Sequence, residues 1–295
     1  MALDSKNTHG RNLTYQTDDT SPKTVTGVSI IGHSGALDEL PRGSDFDLDV
    51  ARGAISGMSC VQKFGHNTSV QTSGTGEDIW SVGGDYTGFL QAAVAVRIAS
   101  GGNAADDQDG GAGARSVTIS GLDENWAEAT ETVNTEGADA SSATTTTFIR
   151  VNRAFVASTG AYGVGNTGAI TIETTGGVTV AGIEALEGQT QMAITAVPAG
   201  KTAYLTYVRL LVGGGATKTA TVSLYRRQSA DAIVAPFGPR RLVQSYDTIP
   251  GGAAFETEYR CYPVFPAKTD IWFRGISQTT AQAVNCTFDL FFVDD

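Results

Sequence analysis

Asp107 and Asp109 stand ahead of Gly110 in the run Asp106-Asp107-Gln108-Asp109-Gly110. Loops of that form can wrap carboxylate oxygens around a calcium ion. A helix-flanked calcium loop also needs a Glu six residues after the glycine, and position 116 is Ser. A solvated turn is therefore expected. Pro198-Ala199-Gly200-Lys201-Thr202 ends like a phosphate-binding loop, but the earlier glycine that such a loop requires would fall on Thr195. Thr202 also opens a strand-like run, so a β-turn is expected there. The three histidines are His9, His33 and His66. No Ser/His/Asp or Cys/His set can be assembled around them, and Gly-x-Ser-x-Gly is absent. Acid pairs for glycoside hydrolysis are available among many carboxylates, yet Trp80, Trp126 and Trp272 are scattered and form no visible sugar platform. Cys60, Cys261 and Cys286 match neither a disulfide framework nor a metal site. Reduced thiols are expected, with a Cys261–Cys286 bridge conceivable because both lie in late strands. No catalytic, metal-binding or cofactor-binding residue is expected.

Charge narrows the function further. The chain carries 20 Lys and Arg against 31 Asp and Glu, a net charge of −11. Nucleic-acid binding needs clustered cations to neutralise phosphate, and so does docking on anionic lipid, so neither partner is expected. No apolar run approaches the roughly 18 residues that a membrane helix needs. Met1–Asp19 lacks the apolar stretch of a secretory signal, so export by the usual route is not expected and synthesis in a cytoplasm is.

The elements that must position any site are strands. From Met58 onward, short runs rich in Val, Ile, Thr and aromatics alternate with Gly, Asn, Asp and Ser clusters. Strands are predicted at Cys60–Phe64, Gly88–Ala99, Ser116–Gly121, Thr130–Thr135, Thr145–Ala157, Ala169–Thr174 and Val178–Ile183. A second series follows at Gln191–Val197, Thr202–Val212, Ala220–Gln228, Phe255–Val264, Asp270–Ile276 and Val284–Val293. In Thr147–Phe155, period two puts Phe148, Arg150, Asn152 and Ala154 on one face. Ile149, Val151, Arg153 and Phe155 take the other. No sustained helical periodicity appears, and Glu124–Thr132 reads better as loop and strand. The predicted fold is all-β: two antiparallel, jelly-roll-like sandwiches over residues 58–187 and 188–295, preceded by an extended N-terminal arm over 1–57. The arm has too few large apolar residues to fold alone.

Two charged sets could make contacts between subunits. The arm carries Asp38, Glu39, Asp45, Asp47 and Asp49, whereas Arg209, Arg226, Arg227, Arg240 and Arg241 concentrate positive charge late in the chain. The arginines could receive the acidic arm, in cis or from a neighbouring copy.

Several segments recur in an order that resembles a known family. They are Arg52-Gly53-Ala54-Ile55-Ser56-Gly57, Val61-Gln62-Lys63-Phe64-Gly65-His66-Asn67 and Ile79-Trp80-Ser81-Val82-Gly83-Gly84-Asp85-Tyr86. Gly113–Asp123, Thr147–Ala154, Val197–Leu205, Lys268–Ile271 and Phe288–Asp294 follow. Over residues 52–295 the chain resembles virion structural proteins of tailed phages, particularly those of marine and freshwater bacteria and of cyanobacteria. The resemblance implies a non-enzymatic building block, made in the host bacterial cytoplasm and present in many copies in the virion. It would be a ring, sheath-like or fibre-anchoring part of the tail or head–tail region. Its partners would be copies of itself and other virion proteins of the tail, connector or capsid. The alternatives are a cement or decoration protein on the capsid, and a particle-borne carbohydrate-binding or polysaccharide-degrading protein.

Overall fold

β-Branched and aromatic residues at alternate positions favour extended backbone, because such side chains pack well on a pleated surface. The computed structural model of the chain is accordingly almost entirely antiparallel β. It describes residues 46–295, together with two short paired strands, β1 (Leu13–Tyr15) and β2 (Lys23–Val25). Most of the predicted arm lies outside the described residues. Within it, Phe46–Ala51 forms a single short helix, α1, with Asp47 and Asp49 in its first turn, where the helix dipole favours acids.

The unit Gly53–Asp295 holds the remaining strands. β3 (Met58–Val70) and β4 (Glu77–Asp78) come first. β5 (Val94–Ile98), β6 (Ala114–Leu122), β7 (Glu128–Asn134), β8 (Thr147–Phe148), β9 (Arg150–Thr159), β10 (Ile170–Thr174) and β11 (Thr179–Ile183) follow. The later series is β12 (Ile194–Ala196), β13 (Lys201–Val212), β14 (Thr219–Arg227), β15 (Arg241–Pro250), β16 (Ala254–Glu258), β17 (Val264–Phe265), β18 (Asp270–Ser277) and β19 (Gln282–Asp294).

Two sandwiches result. In the first, the sheet β11-β10-β5-β8 faces the sheet β7-β6-β9. Val96, Ile119, Phe148, Val151 and Ile172 fill the space between them. In the second, β16-β13-β19-β3 faces β12-β18-β14-β15, with β17 added on β13 and β4 on β18. Leu205, Leu210, Leu224, Phe273 and Phe288 are fully buried there. Side chains of this size stabilise a fold by about 1.5–3 kcal/mol each when buried. The two cores meet at β12 and β18. Ala193, Ile271 and Phe273 face the second core, while Ile194 and Trp272 face the first.

Strand grouping departs from chain order at one place. β3 opens the span 58–187, yet it pairs along its length with β19, from Met58 opposite Val293 to Val70 opposite Gln282. β4 likewise joins β18 of the second sandwich. Strand pairing is non-local, and period two says nothing about which strand becomes the neighbour.

The strict two-face alternation predicted for Thr147–Phe155 is broken. Along β6, Ser120 stands opposite Arg153 and Gly121 opposite Val151, so Asn152 is the extra residue of a β-bulge. The bulge turns Phe148, Val151 and Ala154 into the same core. It also lets Arg150 O approach Gly121, where a Cβ atom would lie 2.0 Å from that oxygen.

Candidate functional site

The sandwiches are joined by charge as well as by apolar contact. Asp270, the first residue of β18, is fully buried, and Arg227, the last of β14, is its cross-strand partner. Arg150 enters from β9 of the first sandwich, only 2% exposed. Its Nε and Nη2 donate to the two carboxylate oxygens of Asp270 at 2.7 and 3.1 Å. Arg227 Nη2 donates to Asp270 Oδ2 at 2.6 Å. Arg150 Nη1 is bonded to the carbonyls of Leu90 (2.8 Å) and Ile149 (2.6 Å). The Arg150 guanidinium also lies over the Trp126 ring at 5.0 Å, and that of Arg227 over Phe89 at 5.1 Å. Every oxygen of Asp270 is thus engaged by a guanidinium. The arrangement is a lock between two bodies, with charge-assisted geometry of the strong bidentate kind.

A second buried ion-pair cluster lies further along β18, tying it to β4 and the loop that follows. Arg274 Nη1 donates to Asp78 at 3.0 Å, and its Nη2 donates to Asp85 at 2.7 Å and to the carbonyl of Gly76. Asp78 Oδ2 accepts the Tyr86 backbone N–H at 2.7 Å. Burial holds the Asp78 carboxyl up at about 6, against the opposing pull of that N–H and of Arg274.

On the inner face of β3, Lys63 donates to the carbonyl of the bulged Asn152. Burial pushes the Lys63 ammonium down to about 7, and the Arg153 charge adds to the effect. The folded protein then holds Lys63 neutral in a range where the unfolded chain, near 10.5, holds it charged. This contribution to stability is complete above pH 10.5 and is lost as pH falls through 7. Asp78 has the opposite sign: its contribution is present below its ordinary value of 3.8 and is lost as pH rises through 6. We expect the urea midpoint to rise from pH 7 to about pH 9 in the wild type. In Lys63→Met it should stay flat over that range and exceed the wild-type value at pH 7. Parallel curves for the two proteins would contradict a buried, neutral Lys63.

The residues nominated for subunit contacts are placed as follows. Asp38, Glu39 and Asp45 lie outside the described residues, and Asp47 and Asp49 lie on α1, where Asp49 pairs with Arg52. Arg209 sits apart, on β13, where it pairs with Glu256 of β16 at 3.1 Å. The other four arginines gather at one end of β14 and β15. Arg226 bonds the Val264 carbonyl at 3.1 Å and stands opposite Arg241 in register. Arg240 lies over the Tyr225 ring at 4.9 Å. Arg227 turns inward to the Asp270 lock. Arg150, Asp270 and Arg274 had no signal in the sequence beyond charges embedded in strand-like runs, and Asp78, on β4, lay outside every predicted strand.

The remaining motifs resolve into structure. Asp106 is buried, and its carboxylate accepts the backbone N–H groups of Ala114 (2.7 Å), Thr167 (2.7 Å) and Gly168 (2.8 Å). It ties two loops together where a solvated turn was expected. Among the described residues, no group of three or more His, Cys, Asp and Glu side chains could hold a metal ion. Gly200 makes a left-handed turn into β13, and Lys201 pairs with Glu128 at 3.0 Å. Cys286 is a free thiol in the second core, where burial raises its pKa, while Cys261 is free and exposed, so the conceivable bridge is not formed. No described helix is long and apolar enough to cross a membrane.

No family model and no curated protein matches the chain. Among solved structures it is similar to infectious bursal disease virus of the Gt strain, at 8% identity over 80% of this chain and 72% of that chain, with a TM-score of 0.23. The Gx-strain structure gives 9% identity, the same coverage and a TM-score of 0.23. Overlap this low says nothing about what the chain does.

Proposed function

We propose that the chain is a non-enzymatic structural protein of a tailed-phage particle, assembled in multiple copies at the tail or head–tail region. The observation that carries this reading is the pair of sandwiches locked by Arg150, Asp270 and Arg227. The lock makes one stiff body of two modules and spends its buried charges on each other, as a load-transmitting part requires. The resemblance of the ordered short segments to those of tailed-phage virion proteins supports the same reading. Arg226, Arg240 and Arg241, gathered at one end of β14 and β15 in a chain of net charge −11, suit a contact with acidic protein surfaces. The protein then resides in the virion, with copies of itself and other virion proteins as its partners.

The test is to purify particles from cells expressing this chain with the rest of its genome, quantify it by mass spectrometry and locate it by electron microscopy. Tens of copies or fewer in a ring or collar on the tail are expected. Hundreds spread over the shell would make it a capsid cement instead. Particles without it, or hydrolysis of a glycan by the purified protein, would overturn the proposal.

A further inference from the structure

The connection between β14 and β15 presents apolar side chains outward. Ile233, Val234 and Phe237 are 51%, 77% and 53% exposed, and Leu242, just into β15, is 56% exposed. Ile233 and Phe237 form one wall of a groove of about 180 Å³, whose other side is Phe89 and Leu90 of the first sandwich. Single exposed apolar residues are ordinary, but a cluster of large ones beside a groove marks a contact surface. β15 adds to this, because it is the outer strand of its sheet and pairs only with β14 among the described strands. Arg240 and Arg241 immediately precede Leu242 in the chain, and Arg226 stands opposite Arg241 in register.

The charge of the chain is divided unevenly. Residues 58–187 hold fifteen Asp and Glu against five Lys and Arg, whereas residues 188–295 hold eight against ten. Over residues 94–187, which carry the strands of the first sandwich, the count is twelve against four, and one of each, Asp106 and Arg150, is buried, so the outside keeps a large excess of acid. Asp109, Glu124, Glu128, Asp139 and Glu187 are exposed on it. We infer that the Ile233–Leu242 surface docks a second copy of this chain, seating on that copy's acidic first sandwich. This rests on the reading of the chain as a multi-copy building block. A patch-to-patch contact would set Arg240 and Arg241 against their own equivalents, and like charges facing each other across an interface are unfavourable. The contact is therefore head-to-tail, and repetition of such a contact generates a ring or a filament.

Sedimentation of the full chain tests this. The wild type should self-associate, and more weakly as salt rises. Arg240→Glu combined with Arg241→Glu should weaken self-association about tenfold or more, and so should Phe237→Ser, which changes no charge. Both variants replace exposed groups, so their thermal melts should match the wild type. Each variant keeps its acidic sandwich and should still bind the wild-type patch, capping growing assemblies when added in small amounts. Three results would each overturn the inference: a wild type that stays monomeric at all concentrations, variants that associate like the wild type, or variants that cannot bind the wild type. Particle content measured separately tells a wrong surface from a wrong function, because a multi-copy virion protein could still assemble through another face.

Discussion

Asp270→Ala should destabilise the Gly53–Asp295 unit by about 3–5 kcal/mol, because it leaves Arg150 buried and uncompensated. For a unit of this size, that corresponds to a fall in melting temperature of roughly 10 °C. Arg227 is partly exposed and can turn to water, so the cost falls on Arg150. Arg150→Met with Asp270→Leu should recover much of the loss, since well-packed apolar groups often replace a buried ion pair without penalty. Calorimetry of the three proteins checks this. A loss below about 1 kcal/mol for Asp270→Ala would mean that Arg150 reaches solvent, and the lock would not hold.

Gly65→Ala should be nearly as damaging, for a different reason. Gly65 lies on the inner face of β3, against the backbone where Ala193 N–H donates to Ile79 C=O at 2.8 Å. A Cβ atom there would sit 2.2 Å from Ala193 N and 2.5 Å from Ile79 O, and backbone cannot step aside as a flexible side chain can. A cost of about 3 kcal/mol or more is expected, at the upper end for overpacking. Gly74→Ala makes the control. Its φ of +82° strains any larger residue, but open space surrounds it, so about 1 kcal/mol is expected. Urea midpoints of the two variants separate these outcomes, and equal values would refute the close approach at Gly65.

Much of the strand pattern was legible from residue types. β6, β10, β11, β13, β14, β18 and β19 fall within a few residues of their predicted ranges: β10, β13, β14 and β19 alternate a buried set with a more exposed one, whereas β6, β11 and β18 are buried almost throughout and show as short runs rich in Val, Ile, Thr and aromatics between turn residues. β15 was not legible. Arg241-Leu242-Val243-Gln244-Ser245-Tyr246-Asp247 is an edge strand with mostly exposed residues, so burial imposes little pattern on it. The bulge at Asn152 was hidden for a related reason, since one inserted residue reverses the parity without changing the composition. The lock depends on Arg150 and Asp270 meeting 120 positions apart in the chain. No local spacing encodes such a meeting. Concentration of the late arginines was visible, but the inward turn of Arg227 was not, because its neighbour Arg226 has the same residue type and faces the Val264 carbonyl.

The pairing of β3 with β19 bears on how the molecule is made. β19 lies between β13 and β3, so this sheet cannot close until residues 282–294 have left the ribosome. The strands of the first sandwich all lie between residues 94 and 183, and their sheets can close while synthesis continues. During that interval β3 has no strand beside it, and a thirteen-residue strand waiting for a distant partner invites mispairing between nascent chains. Lys63, charged while the strand is still in water, provides a guard over that delay: it opposes stacking against another apolar strand until the fold is ready to bury it.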